Sequence, residues 1–132
     1  MTPRRRGERG AAFAYAGLDR VMHEKARLSI LTALLARPEG VLFPELKELC
    51  GLTDGNLSRH VTVLQEARLV EVWKGQEGPR SKTLIRMSQA GRRAFVAYLD
   101  ELERVIRDAR AEVRGDAWQG RGNPAGDGYA PA

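Results

Sequence analysis

The chain has 132 residues, of which 42% are apolar and 30% charged, and its formal net charge is +5. That length suits one domain with one modest core. No apolar run approaches the ~18 residues that a membrane-spanning helix needs, which argues against a helical membrane protein and for no membrane partner. A single cysteine excludes an intramolecular disulfide framework and fits a reducing, cytoplasmic setting. Arg4-Arg5-Arg6 followed by the apolar run Ala11–Leu18 is short for a secretory signal and passes straight into a charged amphipathic stretch, so it reads as structure.

The positive charge is localised. Residues 1–10 hold four Arg and one Glu, and residues 11–52 balance. Arg59, Arg68, Lys74, Arg80, Lys82, Arg86, Arg92 and Arg93 outnumber Asp54, Glu66, Glu71 and Glu77 in the centre. Residues 94–132 are slightly acidic. A surplus confined to an arm and one central segment fits a polyanion-binding face, and it fits a solvated face equally well.

In chain order, residues 1–11 read as a disordered basic arm without apolar period. Leu18–Leu35 carries apolar residues at helical spacing and ends apolar nearly all round, so it predicts a deeply buried helix stopped by Arg37-Pro38-Glu39-Gly40. Val41-Leu42-Phe43 predicts a short edge strand. Pro44–Cys50 predicts a helix with Pro in its first turn and Gly51 as its stop. Thr53 is an N-cap for a helix from Asp54 to about Ala67, with Leu57, Val61 and Leu64 inward. Leu69–Trp73 and Lys82–Met87 alternate as strands around a Gly- and Pro-rich loop, Lys74–Ser81. Ser88 caps a last helix, Gln89–Val113. Its Phe95, Leu99, Leu102, Ile106, Ala109 and Val113 follow a heptad seam. Residues 114–132 read as a flexible tail. The folded unit is therefore 12–113. It is mainly α with a small β-hairpin: two helices joined by a tight turn and followed by a hairpin make a winged helix-turn-helix, here with a long C-terminal dimerisation helix.

The segments LDRVMHEKARLSILTALL, FPELKELCGLTDGNLSRHVTVLQEARLVEVWKG and MSQAGRRAFVAYLDELE resemble the small winged-helix transcriptional regulators related to the MarR and ArsR groups. The resemblance covers about residues 18–105. It implies that the Thr53–Leu69 segment is the recognition helix, that the hairpin is the wing, and that the terminal helices dimerise. It is silent on operator and effector. Two positions depart from the family pattern. Arg68 stands where the family often has Gly, and a left-handed backbone there would cost about 1 kcal/mol unless the turn differs or a phosphate contact offsets it. Cys50 stands where an aliphatic residue is common.

A reader of the major groove needs short polar side chains at the start of a helix and a few longer donors. Asp54, Asn56, Ser58, Arg59 and Thr62 meet that need, with Thr53 at the cap. Arg59 can take guanine O6 and N7 in a bidentate contact. Asn56 can pair with adenine or bond a phosphate, and Ser58 and Thr62 suit phosphate or methyl contacts. Asp54 repels phosphate, so it caps, accepts from cytosine or orients Arg59. Lys74, Arg80 and Lys82 of the wing suit minor-groove or phosphate contacts that carry little sequence information. The arm is better read as non-specific charge than as a minor-groove insert. Arg92 and Arg93 open the last helix against its dipole, which hints at a use for an anion, either a phosphate or an acidic side chain.

The heptad seam is longer than one small core needs. Leu18, Phe95, Leu99, Leu102, Ile106 and Ala109 are therefore expected across a two-fold dimer axis. No cofactor, metal or catalytic site is expected. There is no nucleophile elbow or phosphate loop, and His23, Cys50 and His60 are scattered. Cys50 suits a small core residue, because the C-terminal end of a helix disfavours thiolate. His60 suits packing or a hydrogen bond, and Trp73 suits core or hairpin packing. The expected protein is a sequence-specific regulator of double-stranded DNA, a homodimer and a repressor. An effector is compatible with the pattern, but its ligand is not identified by any residue. A protein-interaction module and a sequence-independent nucleoid protein are the alternatives.

Overall fold

The computed structural model describes residues 11–115 and 118–132. The expected basic arm lies, apart from Ala11, outside the described residues. Seven main elements follow in order: α1 (Lys25–Ala36), β1 (Val41–Leu42), α2 (Phe43–Cys50), α3 (Asp54–Glu66), β2 (Val70–Glu77), β3 (Arg80–Met87) and α4 (Gln89–Arg114). The antiparallel sheet has the order β1-β3-β2.

The first helix starts later than its periodicity predicts. Asp19 Oδ1 accepts from the amides of Val21 at 2.8 Å and Met22 at 3.2 Å, which closes a side-chain-stabilised turn in place of a helical one. Glu24 is then extended at φ −149° and takes the Arg27 amide at 2.8 Å, so the helix begins after it. The preceding segment lies along α4 instead. Tyr15 Oη donates to Asp108 Oδ2 at 2.7 Å, and the Gly17 amide to Glu101 Oε2 at 2.9 Å.

The wing also differs from expectation. Lys74–Ser81 is not a loop: the ladder runs to Glu77↔Arg80, leaving Gly78 and Pro79 as the turn. Gly78 takes φ +62°, which a tight hairpin needs and glycine adopts without strain. Backbone pairing does not require side-chain alternation, so a Gly- and charge-rich stretch can still form a ladder when its partner strand is adjacent.

The remaining boundaries agree within a residue or two. Thr53 Oγ1 accepts the Asn56 amide at 3.2 Å and opens α3. Ser88 Oγ accepts the Gly91 amide at 2.8 Å and opens α4. Ile30, Leu31 and Leu34 of α1, Leu46 of α2, Leu57 and Leu64 of α3, and Ile85 of β3 are fully buried. Phe95 and Tyr98 of α4 join them, their rings stacked 5.9 Å apart. Residues 118–132 are exposed and include a short 3-10 turn, Pro124–Asp127.

Candidate nucleic-acid interface

The inward stripe Leu57, Val61 and Leu64 fixes which side of α3 faces out. Asp54, Asn56, Ser58, Arg59 and Thr62 are all exposed there, together with the cap Thr53. Their roles separate. Thr53 spends an acceptor lone pair on the cap. Thr62 donates to the Ser58 carbonyl at 2.9 Å, one turn back. Asp54 does not orient Arg59: its Oδ1 meets Lys47 Nζ of α2 at 3.1 Å. That contact places a cation beside the start of α3, and sequence reasoning missed it because Lys47 belongs to the other helix of the pair. Arg59 has no hydrogen-bond or ion-pair partner among the described residues and points its guanidinium to solvent. His60 is turned inward, 8% exposed, with its Nδ1 3.2 Å from Arg27 Nη1 of α1. It thus ties the back of α3 to the first turn of α1.

A groove of about 520 Å3 runs between α3 and the wing. Ser58, Thr62 and Gln65 of α3 form one rim and Lys74 and Thr83 the other. Lys74 Nζ donates to Thr83 Oγ1 at 3.2 Å across the strands. Gln65 was legible in principle, since it lies seven residues beyond Ser58 on one helical stripe. Thr83 was not, because only the strand register brings it beside Lys74. Strand alternation splits the two wing lysines: Lys82 stands on the opposite face from Lys74, 3.9 Å from Glu77 Oε2. Arg80 is exposed at the tip.

On the outer face of the wing, Arg86 donates through Nε and Nη2 to Glu71 Oε1 at 3.1 and 2.8 Å. Arg86 also lies 5.2 Å over the Trp73 ring. The Arg86 guanidinium, aided by the Trp73 N–H, holds the Glu71 carboxyl below the usual carboxylate range. Trp73 is therefore an exposed ring held by Arg86 and not a core residue.

The heptad seam divides. Phe95 is 1% exposed, buried beside Tyr98 in the chain's own core, and has no surface left for a second copy. Leu18, Leu99 and Leu102 are half-buried against the same core. Ile106, Ala109 and Val113 are exposed, Ile106 at 46% and Val113 at 72%. Cys50 is half-buried, and burial pushes its thiol up, away from thiolate. No group of three His, Cys, Asp or Glu among the described residues is placed to hold a metal ion. No described helix is long and apolar enough to cross a membrane.

Two helices in a tight-turn pair, a third behind them and a two-stranded hairpin at their side define a winged helix, a class of DNA-binding domain. The chain belongs to the winged helix DNA-binding domain family, whose family model matches residues 26–106. It is 40% identical over 83 residues to an uncharacterized protein of Methanocaldococcus jannaschii, a match covering 63% of this chain and 89% of that protein. Among solved structures, a transcriptional regulator homologue from Pyrococcus horikoshii OT3 is similar with a TM-score of 0.64 and 27% identity. That match covers 69% of this chain and 89% of the other. The transcriptional regulator MosR of Mycobacterium tuberculosis, solved in complex with DNA, has a TM-score of 0.57 at 21% identity, covering 80% of this chain and 76% of its own. The family match and the fold thus make this chain a winged-helix DNA-binding protein, similar to transcriptional regulators.

Proposed function

We propose that the protein acts as a two-fold dimer that reads a roughly palindromic operator and represses by occluding a promoter. In this reading α3 enters the major groove with Arg59 on a guanine edge and Asn56 on adenine or phosphate. A DNA strand follows the groove between α3 and the wing. There Ser58, Gln65, Lys74 and Thr83 offer hydroxyl, amide and ammonium donors to its phosphates. Arg80 and Lys82 meet phosphates or the minor groove on the flank. The observation that carries the reading is the outer face of α3: short polar side chains around one exposed, unpartnered arginine. A protein-docking helix would present apolar or acidic groups there. The two-fold pairing rests on the exposed end of α4, where Ile106, Ala109 and Val113 face solvent.

The test is a fluorescence-anisotropy titration of the full chain into duplexes from its own upstream region and into scrambled duplexes, at two salt concentrations. Tighter binding to the native duplex that persists at the higher salt supports sequence reading. Equal, salt-labile binding to both points to a nucleoid-type protein. No binding to either points to a protein-interaction module.

A further inference from the structure

The inner face of α3 is apolar except at one position. His60 is the only buried polar side chain among the described residues, and it stands in a stripe with Leu57, Val61 and Leu64. Its ring Nδ1 lies 3.2 Å from Arg27 Nη1. A guanidinium carries donors only, so Nδ1 is the acceptor. Arg27 is itself held at three points. Its amide donates to Glu24 Oε1 at 2.8 Å, its Nε to the Val21 carbonyl at 2.6 Å and its Nη1 to His60.

No other hydrogen bond joins α1 to α3 among the described residues. The rest of their contact is apolar: Ile30, Leu31 and Leu34 share the core with Leu57, Val61 and Leu64. Apolar burial is non-directional, and apolar cores lose a unique arrangement before they lose stability. A hydrogen bond has a preferred direction. It therefore fixes what the apolar contact leaves loose, the rotation of α3 about its own axis. Arg59 directly precedes His60, and Asn56 lies one turn before it. A small rotation at the helix backbone grows to a larger shift at the end of the long Arg59 side chain. A bidentate contact to a guanine edge needs two bonds at once and is lost by such a shift.

We propose that His60 is a positioning residue: held by Arg27, it sets the rotation at which α3 presents Arg59 and Asn56, and so governs sequence discrimination without touching DNA. The inference rests on the sequence reading proposed above. Phosphate contacts carry no sequence information, so affinity for an arbitrary duplex does not depend on His60.

His60→Leu removes the acceptor and keeps the site filled. Replacing a buried polar contact by an apolar side chain of similar volume is often neutral or stabilising. The urea midpoint of the full-length variant is therefore expected to stay or rise, with unchanged affinity for scrambled duplex. Its preference for the native duplex is expected to fall about tenfold. Arg27→Met, which removes the partner from α1, is expected to match it. His60→Asn, which keeps an acceptor oxygen near the place of Nδ1, is expected to recover most of the preference. An undiminished preference in both His60→Leu and Arg27→Met would overturn the inference. So would equal losses on the two duplexes, which a merely structural role produces.

A second readout needs no DNA. Nitroxides at Thr32 of α1 and Glu66 of α3, both exposed, report the distance between the helices by double electron–electron resonance. The measurement uses a Cys50→Ala background diluted with unlabelled chain. His60→Leu is expected to broaden or displace the distance distribution, and His60→Asn to restore it. An unchanged distribution would overturn the inference. Equal binding of both duplexes by the unaltered chain would overturn the sequence reading, and a changed distribution would then still show His60 setting α3.

Discussion

Arg59 and Arg68 show how much a single position depends on what surrounds it. Arg59 has no ion-pair partner among the described residues, and the exposed side chains beside it on α3 are short. Arg59→Ala is expected to cost about 1–3 kcal/mol on the operator and much less on scrambled duplex. Equal losses on both duplexes, read by anisotropy, would remove Arg59 from direct readout. Arg68 has the left-handed backbone that its place in the chain raised as a question, at φ +64°. The Leu69 amide reaches the Leu64 carbonyl and the Arg68 amide the Gln65 carbonyl, both at 2.9 Å, which is the Schellman closure that normally takes glycine. The turn is pinned from outside as well. Ser88 Oγ donates to the Arg68 carbonyl at 2.8 Å, and a Cβ on Gly91 would sit 2.0 Å from the Leu69 carbonyl oxygen. Arg68→Gly relieves about 1 kcal/mol of strain. Glycine's freedom in the unfolded chain takes back part of that. A stability gain of a few tenths of a kcal/mol, read as a higher urea midpoint, is therefore expected. A lowered midpoint would mean that the Arg68 side chain supports the fold.

At the scale of elements, the helices were legible and the hairpin length was not. Caps are local chemistry: Thr53 and Ser88 each serve an amide three residues on, so reading them needs no knowledge of the rest of the fold. The start of α1 was missed because Asp19 offers a competing local bond to two amides, and periodicity alone does not register that competition. The wing was underestimated because its outer ladder is held by pairing across strands. That pairing has a functional consequence. Lys74 faces the α3 groove while Lys82 and Arg80 serve the flank and tip, so the three cations are not equivalent. Arg80→Ala is expected to weaken binding to native and scrambled duplex alike and to reduce the salt slope by about 1. A selective loss on the native duplex would instead give the tip a role in reading sequence.

For the whole molecule, the seam on α4 performs two tasks in sequence. Through Leu102 it covers the chain's own core, and beyond that its apolar side chains Ile106 and Val113 are exposed. Leu102 is thus a poor position at which to test association, because a charge there also damages the protomer. Ile106→Asp touches only the exposed half. It is expected to leave the circular dichroism unchanged and to halve the mass seen in sedimentation, from a dimer to one 14.6 kDa chain. An unchanged sedimentation profile would overturn pairing through this end of α4. Loss of the dimer should also weaken operator binding far more than binding to a half-site, since one winged helix spans one half-site.

By itself the sequence determined the order of elements, the inward stripe of each helix, the caps and the polar outer face of α3. These follow from rules that act within a few residues: helical and strand periods, side-chain capping, and the lone arginine among short polar neighbours. Tertiary structure decided what depends on partners distant in the chain. It paired Asp54 with Lys47, turned His60 toward Arg27, set Lys74 against Thr83 and spent Phe95 on the core. The physical reason is that a side chain's charge and shape are local properties, whereas its partner is fixed only when packing and strand register bring remote residues within bonding distance.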